Sequence, residues 1–540
     1  MLTSLLLSAL LSFSSPVHHE LTLAGNFGEP RPNHFHAGCD VKTEQVEGKP
    51  IFSIADGYIS RVTVGVSGFG NAVYVRHPNG YTSVYCHLQR FTPQVAAMVK
   101  KWQYEHEQYV ADVEFQPTDF PVSEGQLIAV SGNTGASTAP HLHLEVHDTR
   151  TWDVLDPLDF IGKYVKDNTA PTADAIMAMP VDGEGSFCGK SYKQRLALSE
   201  NMTEMNAWGK VGFALHAEDK MEGSWNRFGI RYTTLIVDGD TVFSSNVNRI
   251  PVASHRMVNS WGDYDYYMEN RVWFMKSFID PGNSLPVISA NDQLGIITFN
   301  EERPYNIRYV LRDYFGNTTE YSFVVNGKRQ DIEPRKETGT YMLSYDKDND
   351  INLQNMRLHL KKGLLPMNMG ITPQIAACHE GISDAYSFRD ALTPLFDWGE
   401  ISLKVLSPVE NPDKLYIVCH DTYDRYQEGE YKDGWVKGRL RDLGLSYEVA
   451  YDDNPPEVDL ESASAGVLRL NVYDSKSGLS SFKAYVDGKF VLFEDVPKST
   501  VKVCHLSQTP LKRTGATRTL TVYAKDNRNN SIQKNMHFDY

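Results

Sequence analysis

Short runs of alternating apolar and polar residues, each cut off by a turn signal, constrain this chain more than any other feature. Between residues 50 and 90 the runs YISRVTV, NAVYVRH and TSVYCHL are punctuated by Asp-Gly, Ser-Gly, Phe-Gly-Asn and Pro-Asn-Gly. A period of two puts successive side chains on opposite faces of a strand, and Asp-Gly or Asn-Gly supplies the positive φ angles of a tight hairpin. The segment therefore reads as an antiparallel sheet. Strands return in QLIAVSG and HLHLEVHD, while QVAAMVKKWQYEHEQYVAD (residues 94–112) carries helical spacing and reads as an inserted or connecting helix.

With 540 residues the chain is too long for one compact core, so several domains are expected. After DNTAP at 167–171 the texture changes, and an order of segments appears twice. VGFALHAED, RYTTLIVDGDTVF and YNIRYVLRDYFGNTTEYSFVV are matched near the C-terminus by LRLNVYDSKSGLSSFKAYVDGKFV and LTVYAKDNRNNSIQKNMHF. Each copy has a strand ending in Asp, a strand ending in Val-Asp-Gly, and a strand running into an Asp-x-x-x-Asn turn. Each is introduced by a similar linker, DNTAP or DNPPE. Such copies read as immunoglobulin-like β-sandwiches over 171–330 and 455–540. The segment 335–452, with GEISLKVLS and DKLYIVCHD, is also β-rich and reads as a candidate third sandwich. The fold class is mainly β: an N-terminal antiparallel sheet domain over 22–162, then two or three sandwich modules.

A formal charge of −15 argues against nucleic acid as a partner, because a polyanion needs a basic stripe and the sequence shows none. No apolar run reaches the roughly 18 residues that span a bilayer. The start, MLTSLLLSALLSFSS (residues 1–15), has the short apolar core and small residues of a secretory signal peptide, although the first basic residue is Arg31. The six cysteines are scattered without CxxC spacing, so they do not read as a disulfide framework or zinc knuckle, which leaves at most a single pairing such as Cys39 with Cys86.

Ten of the 17 histidines lie at or before His147, which concentrates imidazole chemistry in the first third. In STAPHLHLEV, His141 and His143 share a strand face with Glu145, while Leu142 and Leu144 point to the core. Upstream, NHFHAGCDVKT sets His36 and Asp40 four apart, an even spacing that an extended chain can place on one side. With His143 they make a His, Asp, His set suited to a catalytic zinc, which takes three protein ligands and leaves a fourth position to water. His34 competes with His36, and spacing alone does not choose. In TSVYCHL, Tyr85 and His87 are expected on one face and Cys86 on the other. Alternation likewise turns Cys39 away, so both cysteines read as packing. Glu145 reads as a structural salt-bridge partner. GVSGFG at 65–70 lies between strands and opens no helix, so it is no phosphate loop.

HxxxD at His36–Asp40, Tyr-x-His-Leu at His87, and SGNTGASTAPHLHLEV ending in HxH occur together and in order. This combination resembles the lysostaphin-type (LytM-like) zinc endopeptidases over residues 22–162. The resemblance implies one zinc held by His36, Asp40 and His143, with His141 and His87 as the catalytic histidines. It leaves open which of the two takes the proton. It also implies peptidoglycan as substrate and an extracytoplasmic location in a bacterial envelope. Ala139 stands where many members have Gly, and the helical stretch after His87 is longer than usual, so it could wall or cover the cleft. A second reading is a catalytically silent wall-binding regulator of other hydrolases. Beyond residue 165 no metal-ligand motif is evident, so the tail is expected to position the enzyme, through a ligand its fold does not specify. A fragment ending near 165 is then expected to cleave soluble muropeptides within a few-fold of the full chain.

Overall fold

The structure, a computed structural model, describes residues 13–198, 204–335, 339–464 and 466–540. Residues 1–12, which hold the apolar core of the expected signal peptide, lie outside them. Strands occupy 48% of the chain and helix 8%, so it is mainly β as its alternation predicts. No helix among the described residues is long and apolar enough to cross a membrane.

The first module is built on an antiparallel sheet in the order Leu23–Gly25, Cys39–Lys42, His141–Asp148, Tyr81–Cys86, Ala72–Arg76, Gly57–Val64, Ala111–Glu114. HLHLEVHD lies at its centre because one of its faces is apolar from Leu142 to Val146. Leu142, Leu144 and Val146 are fully buried in the same core as Cys39, Val41 and Tyr85. Each large aliphatic side chain buried there contributes about 1.5–3 kcal/mol. Phe13 packs edge-on against Phe160, and the Ser14 amide donates to the Ile54 carbonyl.

The helix after His87 runs over Pro93–His106, shorter than the expected 94–112. Glu107 adopts a left-handed φ of 51° and ends it, and Ala111–Glu114 then joins the sheet edge beside Gly57–Val64. The polar-alternating tail QYVADVE satisfied a helical count but pairs as a strand.

Two of the later modules share one strand order. In the last, Glu457–Ser464 and Val467–Tyr473 lie in one sheet, and Lys489–Phe490, Leu479–Val486, Thr517–Asp526 and Ser531–Asp539 run consecutively in another. In the second module the corresponding order is Thr172–Phe187, Met205–Glu218, then Thr318–Gly327, Pro304–Arg312, Tyr232–Val237 and Asp240–Asn246. There the two halves merge into one sheet because Met205–Ala207 pairs in parallel with Val325–Gly327. Both Val-Asp-Gly turns have two positive φ angles, 52° and 99° at Asp238–Gly239 and 47° and 77° at Asp487–Gly488. That geometry is the primed turn matching strand twist. Residues 341–451 form a separate core between two five-stranded sheets.

The modules are joined by structure as well as by sequence. Phe27, Phe35 and Val154 of the first are buried in the second module's core, and Val154–Leu155 pairs with Arg249–Ile250. Arg256 donates to the Leu395 carbonyl, and Arg528 to the carbonyl of Asp413. Lys100 reaches the Gln508 carbonyl, and Lys483 and Tyr485 bind Glu107, so the last module returns to the first.

Between the first two modules, Arg231 pairs with Asp156, both nearly inaccessible at 8% and 4% side-chain exposure. Removing one partner of a buried pair strands the other charge and costs about 3–5 kcal/mol. Arg231→Ala is therefore expected to lower unfolding stability by that amount in urea titration, whereas a loss under about 1 kcal/mol, the range of a surface pair, would show that the contact is solvated.

Candidate metal centre and catalytic cleft

His143 pairs across the sheet with Asp40 on one side and Cys86 on the other. His36 enters from the segment before Cys39–Lys42, and its Nε2 lies 3.0 Å from Asp40 Oδ1 and 3.0 Å from His143 Nδ1. His143 Nδ1 is 2.8 Å from the same Asp40 oxygen. Three bonds of about 2.0–2.2 Å, as metals make to imidazole and carboxylate, can meet at one centre from these atoms. His34 is not among them, being exposed with its Nδ1 near the Pro32 carbonyl.

The outer hydrogen bonds decide what the inner atoms offer. His36 Nδ1 donates to the Asn26 carbonyl at 2.6 Å, which leaves Nε2 a lone pair. His143 Nε2 donates to Glu145 Oε1 at 3.0 Å, which leaves Nδ1 a lone pair. Two lone pairs and a carboxylate oxygen thus face one another within 3.0 Å, an arrangement that repels itself unless a cation joins them. Without a metal, only a proton can serve. Burial opposes charge on His143, but hydrogen bonds to Asp40 and Glu145 outweigh it and push its pKa up to about 9. Burial above all holds His36 down to about 4. The donor set fits a metal ion, and these three residues form such a group.

Glu145, expected as a structural salt-bridge partner, pairs with both His143 and His147. It is buried at 2% exposure, and its second oxygen takes a 2.6 Å bond from His147 Nε2. His147 in turn contacts the Trp152 carbonyl through Nδ1. The chain Trp152–His147–Glu145–His143 fixes the ring that offers Nδ1 to the centre. Partners of this kind typically contribute 10–100-fold to metal affinity. Glu145→Gln is expected to weaken metal binding by that factor in competition with a chromophoric chelator; unchanged affinity would show that His143 needs no such orientation. Close packing matters too. A Cβ on Gly25 would sit 2.9 Å from Asp40 Oδ2 and 3.2 Å from His36 Cε1, so the strand Leu23–Gly25 approaches the centre only with glycine there.

His141 and His87 stand on the open side. His141 Nδ1 donates to the Ala139 carbonyl at 2.8 Å, and its Nε2 is 3.3 Å from Asp40 Oδ1. The contact uses the backbone carbonyl of Ala139 and not its side chain. His87 Nδ1 donates to the Thr134 carbonyl at 2.8 Å, and its ring centroid lies 4.9 Å from that of His141. Burial, then the neighbouring His143 and His141, hold the His87 pKa down to about 4.

One expectation is overturned here. Tyr85 does not share a face with His87: it points into the core, where its hydroxyl accepts from the Ile54 amide. Cys86 lies on the face of His143, packed with Ala72, Tyr74 and Val84. His87 reaches that face as well because its φ of 60° breaks the alternation after the strand ends at Cys86. Cys39 and Cys86 therefore lie on opposite sides of the sheet, both free thiols, and do not pair.

The five residues open onto a cleft of about 840 Å³. Its walls include Phe69, Tyr74 and Trp152 from the first module and Val252 and His255 from the second. The helix Pro93–His106 is not part of this lining; its Tyr104 packs on Phe490 of the last module. That module also approaches the cleft rim, where Lys498 donates to the Ser137 carbonyl at 3.0 Å.

Comparison with known proteins identifies the kind of domain that carries this centre. Residues 34–113 match the model of peptidase family M23, and residues 340–452 match that of the Zu5-like domain. An uncharacterized metalloprotease of Haemophilus influenzae is 35% identical over 120 residues, 22% of this chain and 19% of that protein. The peptidoglycan DD-endopeptidase ShyA of Vibrio cholerae is 32% identical over 138 residues, 24% of this chain and 26% of that one. The chain thus spans about a fifth to a quarter of these relatives. Among solved structures, the catalytic domain of lysostaphin from Staphylococcus simulans is 25% identical, with 25% of this chain and 87% of that one covered and a TM-score of 0.19. The first module is an M23 (LytM-like) peptidase domain.

Proposed function

We propose that the chain is an extracytoplasmic zinc endopeptidase that hydrolyses peptide bonds in bacterial peptidoglycan. The observation that carries this reading is the convergence of two lone pairs and a carboxylate oxygen at His36, Asp40 and His143, beside a cleft that also holds His141 and His87. The substrate class is supported by two Vibrio cholerae relatives named peptidoglycan DD-endopeptidase. Bound zinc would supply Lewis-acid chemistry that brings the pKa of a water down toward about 7.

The protein's own groups provide the rest. Their Nδ1 bonds to Ala139 and Thr134 leave Nε2 of His141 and of His87 as the atoms that exchange a proton with water or with the leaving amine. Phe69, Tyr74 and Trp152 give the cleft apolar walls, against which a polar contact is stronger than in open water. The silent-regulator reading has no support in the geometry, since all five positions are filled and brought together.

Incubating the full chain with defined cross-linked muropeptides, and reading products by mass spectrometry, tests the substrate. Cleavage of one class of peptide bond, lost with a chelator and regained with zinc, is the expected result. Products that persist with chelator present would remove zinc from the reaction, and intact muropeptides at every zinc level would remove the substrate.

A further inference from the structure

Although no metal motif is evident in sequence beyond residue 165, the fold assembles one acidic cluster twice. Asp167, Asp219 and Asp313 each offer a carboxylate oxygen, all within 4.8 Å of one another, and Asp452, Asp474 and Asp526 do the same. The positions correspond. The first aspartate lies in the linker entering the sandwich, DNTAP or DDNPPE. The second ends a strand, after Met205–Glu218 or Val467–Tyr473. The third opens the Asp-x-x-x-Asn turn between the last two strands. In both modules the asparagine of that turn ties the linker to the cluster. Asn317 Nδ2 donates to the Asp167 carbonyl at 3.2 Å and to Asp313 Oδ2 at 2.7 Å. Asn530 Nδ2 donates to the Asp452 carbonyl at 2.8 Å and to Asp526 Oδ2 at 2.6 Å.

Neither cluster is neutralised. Among the described residues, no Lys, Arg or His forms an ion pair with any of the six aspartates. Asp167, Asp219 and Asp313 are 7%, 2% and 1% exposed, and Asp167 Oδ2 is buried with no hydrogen-bond partner. At the other cluster, Ser477 donates its amide to Asp452 Oδ2 at 3.1 Å, while its own hydroxyl, in a side chain 2% exposed, is likewise without a partner. Buried carboxylates of this kind are costly unless paired or coordinated to a metal.

We propose that each cluster binds one calcium ion, which staples the incoming linker to its sandwich. The donors are all oxygens, which selects a hard cation over zinc or copper. Calcium accepts irregular sets of carboxylates and carbonyls, whereas magnesium requires a near-ideal octahedron and retains waters. The linkers are the segments through which the first and third modules are attached to sandwiches, so two bound ions would hold the modules in the arrangement that walls the cleft.

The test titrates calcium alone into the full chain, stripped of metal and resupplied with one equivalent of zinc. Calorimetry is expected to find two calcium sites, with dissociation constants of roughly 10⁻⁴–10⁻³ M or tighter. Asp219→Asn and Asp474→Asn should each reduce two sites to one, and the double variant should bind none. Hydrogen exchange on the wild-type chain makes the result independent of variant folding. Exchange at 167–171 and 452–456 should slow on adding calcium and stay unchanged with equimolar magnesium. No calcium binding to the wild type, two sites remaining in a folded double variant, or unaltered exchange at both linkers would each overturn the proposal.

Discussion

Asp40→Ala is expected to strip the chain of zinc and reduce peptidoglycan cleavage to background. Asp40 Oδ1 is the atom that the other groups share, 3.0 Å from His36 Nε2, 2.8 Å from His143 Nδ1 and 3.3 Å from His141 Nε2. It is also the only anionic ligand. Its loss leaves two neutral imidazoles for a dication, although both rings keep their outer bonds to the Asn26 carbonyl and to Glu145. Rates should fall toward those of the uncatalysed reaction, on the order of 10⁶-fold or more. Metal analysis should show near one equivalent of zinc in the wild type and close to none in the variant, with circular dichroism confirming that the sheets remain. A folded Asp40→Ala chain that kept its zinc would mean that the ion is held elsewhere.

The second large effect separates binding from chemistry. His141→Ala and His87→Ala should keep the metal and still lose about 10²–10⁴-fold in turnover, the usual contribution of a general acid or base. Both rings have Nδ1 committed to a backbone carbonyl, at Ala139 and Thr134, so neither needs a metal to fix its orientation. Neither belongs to the three-residue metal group. Whichever variant retains a near-normal rate at full zinc content is not a proton carrier. A variant that lost zinc as well would instead place its histidine among the ligands.

The grouping of His36, Asp40 and His143 was legible because Asp40 and His143 sit on strands that pair directly, with His36 an even four residues before Asp40. His141 and His143 follow from alternation, and HxxxD adds His36 and Asp40. What escaped the sequence depended on single backbone angles and on contacts far apart in the chain. The positive φ at His87 puts it on the same face as Cys86, which alternation forbids. The left-handed Glu107 ends a helix whose spacing continues for several residues. Glu145 stood on the histidine face, but its two bonds, to His143 through one oxygen and to His147 through the other, needed the third dimension. The wall made by Val252 and His255 had no local sign at all. It arises because Phe27 and Phe35 insert into the second module's core. That shared core also alters the expectation for a fragment ending near residue 165, which would expose both rings and lose one side of its cleft. The paired aspartate clusters did have a sign, the matching Asp positions in the two repeats.

The most direct test is a zinc titration of the metal-free full chain, followed by the initial rate on a defined cross-linked muropeptide. Activity is predicted to be absent without zinc, to rise in proportion to added ion, and to level off at one equivalent. Full activity in the metal-free chain, or a plateau that comes only at two equivalents, would contradict a single centre built from His36, Asp40 and His143.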